Sequence, residues 1–251
     1  MTPGDYLTRD PELLDALQLA HEGTEFFDHT LGALPDGHFL GASLLPGWSR
    51  RHVISHVAYN AQALARLAAW ASTGVKTPMY ESAEARNRQI EEGASLSPNE
   101  LRTLHRDSAE TLDSAWRELS DQAWNALVSM QTGPPFAATH TIWLRTREVW
   151  LHAVDLDSGA SFADFPPRLV ERLLVDVVST WRNRTADNAV PNFVLVPTDR
   201  GRQVAVGSDD GSDAITLRGT AVDLARWATG RSILGITVDS VGQVPAAPRW
   251  L

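Results

Sequence analysis

The sequence predicts an α+β fold, with a four-helix bundle over residues 1–162 followed by a small α/β domain over residues 163–251. The first two thirds of the chain contain long amphipathic segments that are bounded by helix start and stop signals. After "GASFADFPP" the pattern changes to short apolar runs separated by Asp, Gly and Ser, which is typical of strands. With 251 residues and 43% hydrophobic content, the chain can form one large domain or two modest ones.

The first two helices are predicted from their end signals. Asp10 is expected to cap the first helix, because Pro11 follows at the first helical position, and this helix ends before Pro35. Ser49 can cap the second helix, which contains neither Gly nor Pro in "RRHVISHVAYNAQALARLAAWAST" before Gly74. Both segments are therefore predicted as long helices of the bundle.

Two further long helices complete the predicted bundle. A shorter helical piece in "SAEARNRQIEEG" comes first, and then Ser97, Pro98 and Glu100 form a capping box ahead of an apolar series. The fourth long helix is predicted in "HTIWLRTREVWLHAVDLDSG", ending at Gly159. Four long helices with connections of varied length indicate a helical bundle.

The C-terminal part is predicted to mix helices and strands. One helix is expected over roughly residues 167–184, and strands are expected in "FVLVP", "QVAVG", "AITLR" and "GITVDS". A further helix lies between the last two strands, since Thr220 and Asp223 have the spacing of a capping box and Gly230 is a helix terminator. These elements predict a small α/β domain.

The composition excludes several classes of function. The chain has 22 basic and 31 acidic residues and a formal charge of −9, which argues against nucleic-acid and anionic-membrane binding. No apolar run reaches the roughly 18 residues of a membrane helix, and no signal-peptide pattern opens the sequence, so a cytoplasmic location is expected. The protein is also expected to be a monomer. Cysteine is absent, which excludes disulfides, thiolate metal sites and a thiol nucleophile of the protein's own.

Histidines and a glutamate at helical spacing predict a metal site. Glu148 and His152 are four residues apart on the fourth helix, and His52 and His56 have the same spacing on the second. Bundles build metal sites from side chains on facing helices, and three N or O ligands with an open fourth position describe a catalytic zinc site. One histidine of the second helix would complete a His, His, Glu set. The alternative is that these pairs form only ordinary hydrogen bonds.

A resemblance to a known family narrows these choices. "GWSRRHVISHVAYNAQAL", "WASTGVKTPMY", "ARNRQI", "TREVWLHAVDL", "WATGR" and "PRWL" together resemble the mycothiol-dependent maleylpyruvate isomerases, over nearly the whole chain. The resemblance implies a DinB-like four-helix bundle plus a small α/β domain. It also implies His52, Glu148 and His152 as the metal ligands, with His56 outside the ligand set, and Arg231 as the catalytic arginine.

The same resemblance implies a reaction and its partners. Maleylpyruvate would be isomerised from cis to trans, giving fumarylpyruvate, in the gentisate route of aromatic degradation. Zinc and mycothiol are the expected cofactors, and the zinc site is expected between the two domains. Two other functions stay open at this point. One is a zinc-dependent mycothiol S-transferase of the DinB-like superfamily, and the other is a carrier of apolar ligands that contains no metal.

Overall fold

The computed structural model divides into two compact units, residues 1–160 and residues 161–251. This boundary lies two residues before the one predicted from the sequence. The residues that the structure describes are 6–130, 133–185, 191–201, 204–206, 214–239 and 242–250. Helices dominate the first unit and a four-stranded sheet lies in the second, so the predicted α+β fold is confirmed.

The described part of the first unit contains six α-helices and a 3₁₀ helix at Asp36–His38. The α-helices are α1 (Pro11–Ala33), α2 (Arg50–Thr73), α3 (Ala83–Ala94), α4 (Pro98–Arg117), α5 (Asp121–Trp124) and α6 (His140–Asp155). Two short strands, β1 (Leu127–Val128) and β2 (Phe136–Ala137), pair antiparallel ahead of α6. The four long helices of the predicted bundle correspond to α1, α2, α4 and α6.

The helix ends follow the sequence signals closely. The Asp10 side chain accepts hydrogen bonds from the first turn of α1, and Ser97 and Glu100 form the predicted capping box of α4. Gly74 ends α2 with φ 73°, a left-handed conformation that glycine adopts without a Cβ clash. The fourth long helix ends at Asp155, earlier than the predicted end at Gly159.

Close helix packing forms the core of the first unit. Helix α2 contacts α3, α4 and α6, and α1 packs along α6. A Cβ atom at Gly23 of α1 would lie only 2.5 Å from the Trp150 ring and 2.6 Å from Val149, so glycine allows α1 to approach α6. The Trp150 indole N–H donates to the Leu19 carbonyl at 3.1 Å. The side chains of α6 are thus held on one side by α1 and on the other by α2.

The second unit is a small sheet with two helices. After a 3₁₀ turn at Phe162–Asp164, its elements are α7 (Pro167–Thr185), β3 (Phe193–Pro197), β4 (Val204–Val206), β5 (Ile215–Gly219), α8 (Ala221–Ala228) and β6 (Thr237–Val238). The strand order is β4-β3-β5-β6, with β3 and β5 parallel and both outer strands antiparallel to their neighbours. The predicted strands are present, although Gln203, Gly207 and Ser240 at their ends lie outside the described residues.

Aromatic rings fill the interior of the second unit. Trp181 of α7, Phe193 of β3 and Trp227 of α8 contact one another, with ring centroids 5.4 to 5.9 Å apart. Such aromatic contacts bury large apolar areas. The C-terminal segment adds to this core, since Trp250 is buried and the Trp227 indole N–H donates to the Pro245 carbonyl at 2.8 Å.

None of the described helices is both long and apolar enough to cross a membrane.

A partly buried carboxylate ties α1 and α4 together in the first unit. Asp113 accepts a hydrogen bond from the Tyr6 hydroxyl at 2.6 Å and from Arg117 Nε at 2.6 Å, and it pairs with His21 at 3.1 Å. Burial raises the pKa of Asp113, but the hydrogen bonds from His21, Tyr6 and Arg117 outweigh it and hold the pKa well below its usual range.

Because its pKa is lowered in the folded state, Asp113 stabilises the fold at neutral pH. We expect Asp113→Asn to lower the free energy of unfolding at pH 7. This difference should shrink as the pH falls below about 4, where the unfolded carboxylate takes up its proton. Urea unfolding at pH 7, 5 and 3.5 measures it, with Asp107→Asn, an exposed change on the same helix, as the control. A difference that stays constant to pH 3.5 would rule out this role.

Candidate metal centre

A glutamate of α6 lies between two histidines. Glu148 Oε2 is 2.9 Å from His56 Nε2 and 3.1 Å from His152 Nε2. The two imidazole rings meet edge to face, with centroids 5.0 Å apart and an interplanar angle of 82°. One ligand atom from each residue lies within 4.8 Å of the other two. We call these three residues the His–Glu–His group.

Helix geometry brings the group together. Glu148 and His152 are four residues apart on α6 and therefore share one face, as their spacing predicts. His56 comes from α2, which packs against that face. Buried Arg145 fixes the pairing, since its Nη1 donates at 2.6 Å to the carbonyl of Val57, the residue after His56.

Charge and burial set the protonation states. Burial raises the pKa of Glu148, but its contacts with His56 and His152 outweigh this and hold the pKa well below its usual range. For His152, burial lowers the pKa. The hydrogen bonds to Asp155 and Glu148 have the larger combined effect and raise the pKa to about 9. For His56, burial is the largest influence and the pKa is lowered. These shifts favour an anionic Glu148, a protonated His152 and a neutral His56.

A second carboxylate orients His152. Its Nδ1 lies 2.8 Å from Oδ2 of Asp155, whose side chain is completely buried. Metal-binding histidines commonly donate their other ring N–H to a carboxylate, which fixes the ring orientation and leaves the opposite nitrogen free for the metal. The Asp155 contact therefore directs His152 Nε2 toward Glu148.

In the structure His56, and not the expected ligand His52, lies beside the two α6 residues. His52 lies in the first turn of α2, and its Nδ1 accepts the backbone N–H of Ser49 at 3.1 Å. Its Nε2 lies 3.3 Å from Glu91 of α3. The ring of His52 thus caps the N-terminus of α2. The sequence already indicated this role, because His52 stands three positions after the cap residue Ser49. A capping box has its second side chain at that position.

The structure places Arg231 in the second unit, directly after α8. The N–H groups of Gly230 and Arg231 donate to the carbonyls of Trp227 and Arg226, at 2.8 and 3.0 Å. This pair of bonds is a Schellman motif, and Gly230 adopts its left-handed conformation with φ 79°. The Arg231 side chain is partly exposed and donates from Nη1 to the Thr229 carbonyl at 2.6 Å.

The His–Glu–His group fits a zinc ion. Tetrahedral bonds of about 2.0 to 2.2 Å to nitrogen and oxygen place ligand atoms roughly 3.4 Å apart. The observed contacts of 2.9 and 3.1 Å need only a small expansion to reach that separation. Glu148 and His152 also keep 16% and 13% of their side-chain surfaces exposed, so a fourth ligand can approach. Three protein ligands with an accessible fourth position are typical of catalytic zinc.

Comparisons with known proteins indicate the same protein family for both units. The Mycothiol maleylpyruvate isomerase N-terminal domain matches residues 20–157, and the MDMPI C-terminal domain matches residues 164–249. The chain is 40% identical to a crystal structure of the mycothiol-dependent maleylpyruvate isomerase, with a TM-score of 0.88 over 95% of this chain and 97% of that one. It is 39% identical to that enzyme's H52A mutant, numbered in that protein's own sequence, with the same coverage and TM-score. No curated protein matches.

The geometry predicts which histidine of α2 binds metal. We expect His56→Ala to lose stoichiometric zinc, because two ligands remain, whereas His52→Ala should retain zinc and lose only some stability at the start of α2. Metal content by atomic absorption after dialysis, alongside thermal unfolding, distinguishes the two variants. Loss of zinc from His52→Ala and its retention in His56→Ala would return His52 to the ligand set.

Proposed function

This chain belongs to the mycothiol-dependent maleylpyruvate isomerase family, and we propose that it converts maleylpyruvate to fumarylpyruvate with mycothiol as the reacting thiol. The main observation that supports this proposal is the His–Glu–His group, which lies within the matched N-terminal domain. We further propose that the enzyme acts as a cytoplasmic monomer in the gentisate route of aromatic degradation.

The reaction requires a nucleophile that also leaves readily. A carbon–carbon double bond does not rotate, but a thiolate that adds to the alkene conjugated with the ketone gives an enolate whose former double bond is now single. Rotation about this bond, followed by expulsion of the same thiolate, restores the alkene in the trans form. The thiol is regenerated and the atoms balance. Because the chain contains no cysteine, the sulfur has to come from a separate thiol.

We propose that His56, Glu148 and His152 hold a zinc ion. When bound, zinc would supply Lewis acidity that favours the thiolate form of a thiol near neutral pH. The protein's own contribution is to keep the three ligands converged. Asp155 holds the His152 ring, and Arg145 holds α2 against α6 at the level of His56.

We propose that Arg231 binds a carboxylate of the substrate or the oxygen of the enolate. A guanidinium presents a planar fork of donors that matches a carboxylate, and fixed donors at a developing negative charge stabilise the transition state. The family resemblance of "WATGR" supports this assignment. The Schellman motif also fixes the backbone of Arg231, because the N–H of Arg231 donates a hydrogen bond to a carbonyl of α8.

The direct test is an assay of the zinc-loaded protein with maleylpyruvate, with and without mycothiol. We expect fumarylpyruvate to form only with mycothiol, and the free thiol concentration to stay constant during turnover. Thiol consumption in step with the substrate, accompanied by a stable thioether, would instead identify an S-transferase. Absence of any reaction with mycothiol present would contradict the proposed function.

The role of Arg231 makes a separate prediction. We expect Arg231→Lys to lower turnover by about 10²-fold, since lysine keeps the charge but loses the bidentate fork. Zinc content should not change, because arginine is not a ligand. The control is Arg218→Lys in the same unit, where an exposed arginine pairs with Asp239 at the surface and a small effect is expected. Equal rates for the two variants would remove Arg231 from the mechanism.

A further inference from the structure

Arg86 of α3 brings a positive charge to the His–Glu–His group. Its Nη2 donates to Nδ1 of His56 at 3.3 Å, and its Nη1 donates to the Asn87 side chain at 3.3 Å. The guanidinium also interacts electrostatically with the Tyr80 side chain. Among the described residues these partners are all neutral, and no carboxylate forms an ion pair with Arg86. A half-buried arginine without an acidic partner is uncommon, since buried charges are usually paired.

The contact with His56 requires that Nδ1 of the imidazole carries no proton. A guanidinium can only donate hydrogen bonds, so Nδ1 of His56 accepts and the ring proton lies on Nε2, facing Glu148. A neutral imidazole that binds metal through Nε2 carries its proton on Nδ1 instead. Arg86 would then face an N–H group and lose its acceptor. With zinc in place, the guanidinium needs another acceptor close to the metal.

We propose that Arg86 binds a carboxylate of the substrate beside the metal. This inference rests on the proposed function, in which the substrate is a dianion. The guanidinium fork suits a carboxylate, and a charge-assisted pair would supply the counterion that the protein does not.

Tyr80 and Arg66 help to position Arg86. The guanidinium carbon of Arg66 lies 5.7 Å from the centroid of the Tyr80 ring, and Arg66 Nε donates to the Met79 carbonyl at 2.9 Å. The segment before α3 is thereby fixed on α2, and the Tyr80 side chain is held close enough to Arg86 to interact with its charge. The short helix α3 thus presents Arg86 on a supported base, as a substrate-binding residue requires.

Binding of maleylpyruvate without mycothiol tests the proposal, because no turnover is expected without the thiol. For zinc-loaded Arg86→Met we expect the dissociation constant, measured by calorimetry, to rise by about 10- to 100-fold, as for loss of a charge-assisted hydrogen-bonded pair. Arg86→Lys should recover part of the affinity. In the full assay KM should rise more than kcat falls. Arg88→Met, an exposed arginine two residues along the same helix, is the matched control and should bind like the wild type.

The outcomes separate this inference from the proposed function. If the wild type binds and isomerises maleylpyruvate while Arg86→Met binds it equally well, Arg86 is not a carboxylate-binding residue. Loss of zinc from Arg86→Met would assign Arg86 to holding His56 and would also overturn the inference. If the wild type neither binds nor converts maleylpyruvate, the proposed function fails and the inference falls with it.

Discussion

The largely buried carboxylate of Glu148 is the constraint on which the candidate site depends. An isolated buried carboxylate is costly, and it is retained here because His56 and His152 approach the same oxygen at 2.9 and 3.1 Å. One imidazole comes from α2 and the other from α6, so neutralising this charge requires the two helices to pack face to face. The three side chains are therefore already close together in the fold, which would lower the cost of ordering them around an ion.

Arg145 extends this constraint through the bundle. It is almost completely buried, and its Nη1 donates to the Val57 carbonyl and to the Asn60 side chain of α2. Burial lowers the pKa of Arg145 to about 10, so the side chain remains charged at neutral pH. One turn away, Glu148 carries the opposite charge. Replacing either residue alone would leave the other charge buried with less compensation, and the alignment of α2 with α6 would weaken.

Much of this arrangement could be predicted from the sequence. Caps at Asp10 and Ser97 and the left-handed Gly74 mark helix ends through local chemistry, and the spacing of Glu148 and His152 fixes their common face. The choice between His52 and His56 could not be made from spacing, because residues four apart share a face. It depends on which turn of α2 lies opposite α6, a property of tertiary packing. Arg86 was missed for the same reason, since α3 reaches the site through the fold.

We propose that α2 and α6 build a zinc centre from His56, Glu148 and His152. Anomalous diffraction from crystals of the zinc-loaded protein, collected at the zinc edge, tests this most directly. We expect a single strong peak about 2.0 to 2.2 Å from His56 Nε2, His152 Nε2 and a Glu148 oxygen. A peak coordinated by His52 and Glu91, or no peak near Glu148 in zinc-loaded crystals, would contradict it.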